Sequence, residues 1–237
     1  MNTNHKTPET VTKDLALKAH KKKLKEEDPI LTNATKDSTI KELSAMDPPS
    51  AYSKENTIGA EVESMNIFLR NLIDEHQEVT QKVKDFDDAL ITFRNSGFSF
   101  SYDVSEAFNK FFVYFDEHIL PHNQKEERYY FPLIHKKLIE SGEHGIGKKP
   151  KTAVDLMEDD HVKFIQLASL CFNLLGLASR LRDNESRVIT YDLAFNSGRE
   201  LVELLRLHIF REDETLFPLS QKLLSPEEFK WLNEQTV

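Results

Sequence analysis

The sequence predicts an all-α protein: an antiparallel, up-down-up-down four-helix bundle with a disordered N-terminal tail and a short C-terminal helix. Three observations predict it. Apolar residues recur at steps of three and four over four long stretches. Glycine is scarce, seven in 237 residues, beside sixteen phenylalanines, which suits long uninterrupted helices more than a turn-rich sheet. The breaks between the four stretches are short, and short connections leave consecutive helices antiparallel.

Residues 1–58 read as the tail and 59–237 as the bundle, a duplicated two-helix unit. The first 56 residues hold ten Lys, nine Asp or Glu and no Arg, Phe or Trp, too little apolar surface to offset the entropy of ordering. The run Lys18-Ala19-His20-Lys21-Lys22-Lys23-Leu24-Lys25 reads as a solvated basic stretch balanced by Glu26, Glu27 and Asp28. Its alternative reading is a nuclear-import patch or a dock for a protein partner.

Ile67, Leu69, Leu72, Ile73, His76, Val79, Val83 and Phe86 mark a first helix over about 61–93, broken at Asn95-Ser96-Gly97. Val104, Phe108, Phe111, Phe112, Phe115 and Ile119 open a second, which runs through Phe131 and Leu138 toward Gly142. Pro121 lies inside it and predicts a kink, because proline removes one backbone bond and crowds the preceding turn. Gly142 to Pro150 is a loop. A third helix spans about 152–181, with Val154, Met157, His161, Phe164 and Ala168 on its stripe. Arg182-Asp183-Asn184 joins it to a fourth, about 187–223. Ser225-Pro226-Glu227-Glu228 is a capping box with proline at the first helical position, which starts the terminal helix.

Charge and cysteine content exclude several functions. Thirty-one basic and forty acidic residues give a net charge of −9, which argues against a nucleic-acid binder or a surface for anionic lipid. The single cysteine, Cys171, can form neither an internal disulfide nor a thiolate cluster; this suits a reducing, intracellular setting, cytoplasmic with nuclear as the alternative. No apolar run approaches the roughly 18 residues of a membrane span, and no signal core opens the chain. G-x-S-x-G, P-loop and dinucleotide fingerprints are missing too.

The histidines carry the functional signal. His122 is followed by Glu126 four residues on and by Phe131-Pro132; His208 is followed by Glu212 four residues on and by Phe217-Pro218. Each H-x-x-x-E is preceded by a lone histidine on the previous helix, His76 and His161. The two sets are offset by 85 or 86 residues, and their flanks match: Ile73-Asp74-Glu75-His76 against Glu158-Asp159-Asp160-His161. Residues i and i+4 lie above one another on a helix face, so each pair offers an imidazole and a carboxylate to one point on the apolar stripe. Four imidazoles and two carboxylates then meet inside the bundle. Unpaired, they would be costly to bury; a pair of metal ions removes that cost, with Glu126 and Glu212 each able to bridge. Nitrogen and oxygen ligation suits iron first, with manganese and zinc behind it. A duplicated polar core without metal is the alternative.

The set His76, His122 with Glu126, His161, and His208 with Glu212, together with the F-P ending of both motifs, resembles the hemerythrin-like family of HHE cation-binding domains over about residues 60–224. The resemblance implies a non-haem centre of two iron ions, oxo- or hydroxo-bridged, with both glutamates bridging. It also implies a role in carrying, storing or sensing oxygen or iron, or in nitric-oxide and iron–sulfur stress chemistry. The family's oxygen carriers have a second histidine one turn from the third-helix ligand; Met157 and Ile165 stand at those places here. Their fourth-helix aspartate falls five residues after its histidine, where Asp213 stands beside Glu212.

Three residues are additional candidates: Asp213 by that offset, His118 one turn before His122, and Tyr129 seven residues after it. His118 could be an added ligand or could orient a ligand, and Tyr129 could donate to bound oxygen or simply pack. The expected function is a di-iron protein that senses, stores or carries iron or oxygen, with O2, another small diatomic or a peroxide as its ligand. The alternative is a di-iron oxidoreductase acting on O2, peroxide or nitric oxide, and no catalytic residue is assigned.

Overall fold

The computed structural model describes residues 62–145 and 149–235; the predicted tail lies outside the described residues. All regular elements among the described residues are helical. A 3-10 turn, Val62–Ser64, precedes helix α1, Ile67–Asn95. The second rod is a relay of α2 (Tyr102–Tyr114), a π turn (Phe115–Ile119), α3 (Leu120–Lys125), a second π turn (Glu126–Tyr130) and α4 (Phe131–Ser141). Helix α5, Ala153–Ala178, is the third rod. The fourth comprises α6 (Asn184–Arg211), a π turn (Glu212–Leu216) and α7 (Phe217–Leu223), and α8, Pro226–Gln235, closes the fold.

The caps explain where these boundaries depart from the periodicity. The Asn66 side chain accepts from the Phe68 amide, so α1 starts several residues later than its apolar pattern. Asp183, read as part of a polar joint, accepts from the Ser186 amide at 2.8 Å and starts α6 early. Thr152 and Asp155 form a capping box on α5, and Ser225 with Glu228 forms the predicted one on α8. The α1 break uses two left-handed residues, Gly97 and Phe98.

The disturbance expected at Pro121 takes the form of a π turn. Each of the three π turns begins six residues before a proline: Phe115 before Pro121, Glu126 before Pro132, Glu212 before Pro218. Proline lacks the N–H that would continue the α ladder and crowds the carbonyl four residues back. The amide just before each proline therefore reaches five residues back: Leu120 to Phe115, Phe131 to Glu126, Phe217 to Glu212.

A buried polar layer divides the apolar core. In α1, Phe68 to Ile73 belong to one apolar cluster, His76 follows, and Val79 to Phe93 belong to the other. Helix α5 repeats that order about His161, with Met157 on one side and Phe164 on the other. The second and fourth rods run through the clusters in the opposite order, from Phe111 past His122 to Phe131 and from Leu205 past His208 to Phe217. The alternation is the up-down-up-down arrangement. The far cluster is rich in aromatic rings, with Phe86 stacked on Phe111 at 3.9 Å and Tyr191 edge-on to Phe93. At Gly198 a Cβ would stand 2.9 Å from a methyl of Leu90 and 3.3 Å from Cys171 Sγ, so α6 approaches α1 and α5 there closely.

Helix α5 is long and apolar enough, by length and composition, to cross a membrane, which the run-based reading of the sequence did not anticipate because charges punctuate its first half. In the fold it packs along α6, and its inward stripe carries Asp160 and His161 into the polar layer.

Candidate metal centre

Each of the six residues singled out by the repeat is buried, and the two glutamates are completely so. His76 and His122 face each other with Nε2 atoms 3.1 Å apart; His161 and His208 do the same at 3.2 Å. The carboxylates lie between these pairs and touch both. Glu126 Oε2 stands 3.5 Å from His122 Nε2 and 3.6 Å from His161 Nε2; Glu212 Oε2 stands 3.3 Å from both His76 Nε2 and His208 Nε2. Ligand atoms of His76, His122, Glu126 and Glu212 lie within 4.8 Å of one another, and so do those of Glu126, His161 and His208.

The residues fit a metal site on two counts. None of the four oxygens of Glu126 and Glu212 has a hydrogen-bond partner, an arrangement that a metal-free interior would have to bear at a cost of several kcal/mol per charged group. The imidazole spacing also suits ligation, since two donors ~2.1 Å from one ion and at right angles are about 3.0 Å apart.

A ring of carboxylates orients the imidazoles. His76 Nδ1 donates to Asp213 at 2.7 Å, His122 Nδ1 to Glu75 at 2.6 Å and His161 Nδ1 to Glu127 at 2.9 Å. A proton held on Nδ1 leaves the Nε2 lone pair free for a metal. Asp160 faces His208 Nδ1 at 3.7 Å, and the same oxygen accepts from Arg211 at 3.2 Å. A basic residue backs two of these carboxylates: Lys125 on Glu75 at 2.5 Å and Arg211 on Asp160. This outer ring obeys the same repeat as the donors, since Glu75 corresponds to Asp160, Glu127 to Asp213 and Lys125 to Arg211.

The F-P ending of each motif now has a mechanical reading. Phe217 stacks on His76 at 5.5 Å and Phe131 stacks on His161 at 5.5 Å, so each phenylalanine supports a histidine of the other half. The prolines hold the π turns that begin at the two glutamates.

Burial and charge pull the metal-free groups in opposite directions. Burial opposes a charge on His76, but Asp213 and Glu212 outweigh it and hold the imidazole up to about 10. His208 is held up to about 9 against burial, by Glu212 and Asp160. Burial, with the neighbouring His208, pushes His161 down to about 3, and burial lowers His122. Glu126 is raised well above the usual carboxylate range by burial and by Glu212. Glu212 is kept well below it despite burial, by His208 and His76. Protons thus occupy the cluster where cations would otherwise balance it.

The three additional candidates fall outside the inner cluster. Asp213 binds the outer nitrogen of His76 and sits 28 % exposed, so it supports a histidine rather than facing Nε2. His118 is exposed and stacks on Tyr114 at 4.5 Å. Tyr129 is half-buried against Trp231. Both His118 and Tyr129 lie within π turns, whose extra residue rotates them off the stripe that a regular helix would keep. Tyr130 turns inward in place of Tyr129, fully buried and 2.6 Å from Ser220 Oγ. The outer carboxylates were missed as partners, although the matched flanks held their signal.

Of the remaining described histidines, His135 is half-buried and bonds Thr152, and His144 is exposed. Burial pushes the Cys171 thiol up to about 12, as suits an inert core residue. No curated protein and no solved structure matched the chain in the comparisons made. A family model, the hemerythrin HHE cation binding domain, matches residues 67–220. With a buried His/Glu cluster at its centre, the chain belongs to the hemerythrin HHE cation-binding domain family.

Proposed function

We propose that the protein is a non-haem di-iron protein that senses, stores or carries iron or oxygen. One observation carries this reading: two imidazole pairs are joined by two buried carboxylates whose oxygens have no other partner. His76 and His122 would hold one ion and His161 and His208 the other, with Glu126 and Glu212 shared between them. Iron bound there would supply one-electron redox chemistry toward O2, another small diatomic or a peroxide. The chain's own residues do the rest. Asp213, Glu75 and Glu127 fix three ring orientations, the apolar clusters on either side keep bulk water out, and the π turns present the glutamates.

A second reading, an oxidoreductase acting on O2, peroxide or nitric oxide, is favoured by a pocket of about 230 Å³ beside His118 and His122, large enough for a small substrate. The setting we propose is intracellular, cytoplasmic or nuclear, with residues 1–58 available for a protein partner and without nucleic-acid or membrane binding. Metal analysis combined with absorption spectra of the reduced protein before and after oxygen tests these readings. Two irons per chain and a reversible oxygen-dependent band support the first. Continued oxygen consumption without a stable band supports the second. A protein that takes up no metal after reconstitution overturns both.

A further inference from the structure

The two halves place the same donors at the centre but surround them differently. On the outer side of His122 lies the 230 Å³ pocket, walled by Glu75, Glu78, Val79, Glu117, His118 and His122. Tyr114 stacks on His118 at its rim, where Lys82 sits 5.6 Å from the phenol ring, and Lys125 holds Glu75 at the inner end. Burial and the charges of Glu78 and Glu75 push the Tyr114 phenol up to about 12, as a negative pocket would.

At the equivalent place in the other half Glu200 and Glu203 stand for Tyr114 and Glu117, but a bulkier ring and an added base stand nearest the histidine. Phe164 replaces Val79 and packs edge-on against His208 at 5.0 Å. Leu204 replaces His118 and packs on the core. Lys163 replaces Glu78 and faces Asp160 at 3.8 Å, while Arg211, itself buried, replaces Lys125.

We propose that metal cations enter and leave the centre through the pocket beside His122, drawn in by Glu78 and Glu117 and gated by the Glu75–Lys125 pair that holds His122. The inference rests on the reading of the centre as a metal site. A cleft of one sign raises the local concentration of the opposite charge and the rate of its capture, an effect that salt removes. On the matching face of the His161/His208 half, Phe164 packs against His208 and buried Arg211 binds the Asp160 that faces it.

Two variants test this with ferrous iron alone under anaerobic conditions. V79F/H118L gives the pocket the residues of the other half. In it, iron release from the loaded protein to excess 2,2′-bipyridine, followed by colour, is expected to slow several-fold at unchanged iron content. E78Q/E117Q changes exposed side chains only. Its iron loading, measured by timed mixing and desalting, is expected to slow about tenfold at ~0.01 M salt and to match the parent at ~1 M salt. Parent-like release from a folded V79F/H118L protein overturns the proposal, as does parent-like loading of E78Q/E117Q at low salt. If V79F/H118L does not fold, the charge variant decides alone. A parent protein that takes up no iron removes the metal-centre reading, and this route with it.

Discussion

The His76/His122 half and the His161/His208 half are alike at the centre and unlike one layer out. Each supplies two imidazoles and one glutamate, with Nε2 separations of 3.1 and 3.2 Å. Outside them, Glu75 and Lys125 form a partly exposed pair, whereas Asp160 and Arg211 are buried to within 4 %. The repeat keeps the six inner donors and changes the exposure of the pairs around them. The difference teaches that chemistry is set by the inner six residues, while access and stability are set by the layer around them.

The largest break in this comparison is expected between the two glutamates in the metal-free protein. Glu212 is held toward its ionised form by the two raised histidines it faces. Glu212→Gln should therefore cost about 3–5 kcal/mol in urea unfolding, the cost of leaving buried cations unpaired. Glu126 is held toward its neutral form by burial and by Glu212, so Glu126→Gln should change metal-free stability by under about 1 kcal/mol. Both variants should lose bound metal, because each removes a shared ligand.

The outer pairs should differ next. Asp160→Ala strands buried Arg211 and should destabilise by about 3 kcal/mol in the same assay, whereas Glu75→Ala, in a partly exposed pair, leaves only the His122 N–H unpaired and should cost about 1 kcal/mol. Equal costs would erase the contrast between the halves.

Titration sharpens the picture within each half. His76 and His208 are held up to about 10 and about 9, and a metal must displace their protons. Apparent iron affinity should therefore rise with pH between about 6.5 and 9, by up to about tenfold per unit for each proton released. In the metal-free protein these raised groups contribute stability that is fully present below about 6.5 and lost as pH rises through about 9 and about 10. A flat affinity profile over that range would contradict the assignment. The smallest effect concerns the π register. Tyr130→Phe should cost about 1 kcal/mol through its Ser220 bond, while Tyr129→Phe, which keeps the half-buried ring against Trp231, should cost almost nothing.

The sequence held most of the fold and the inner site in plain view. A hydrophobic period survives capping shifts of a few residues, and an 85- or 86-residue offset relating six donors is visible without coordinates. The outer ring was harder. Glu75, Glu127 and Asp160 sit beside ligands in matched flanks, yet acidic residues next to a buried position look like a solvated helix face until their partner on another helix is known. His118 and Tyr129 stand off the inner cluster for a different reason: the stripe argument assumes 3.6 residues per turn, and a π turn breaks that count by one residue. The prolines were visible, but their spacing from the glutamates gains meaning only when the amide before each is seen to reach five residues back.

Those π turns act as phase shifters. Upstream of each, the side chains keep one angular register; downstream, the whole stripe is rotated by the added residue. The proline that follows has no N–H with which to rejoin the α ladder, so the offset cannot anneal away. The second and fourth rods can therefore aim histidine and glutamate at the centre in one register and seat Tyr130, Phe131, Leu216 and Phe217 in another. Deleting only exposed Arg128 from the one turn, or only Glu214 from the other, would spare every donor and every buried side chain, and still point the far end of the rod the wrong way.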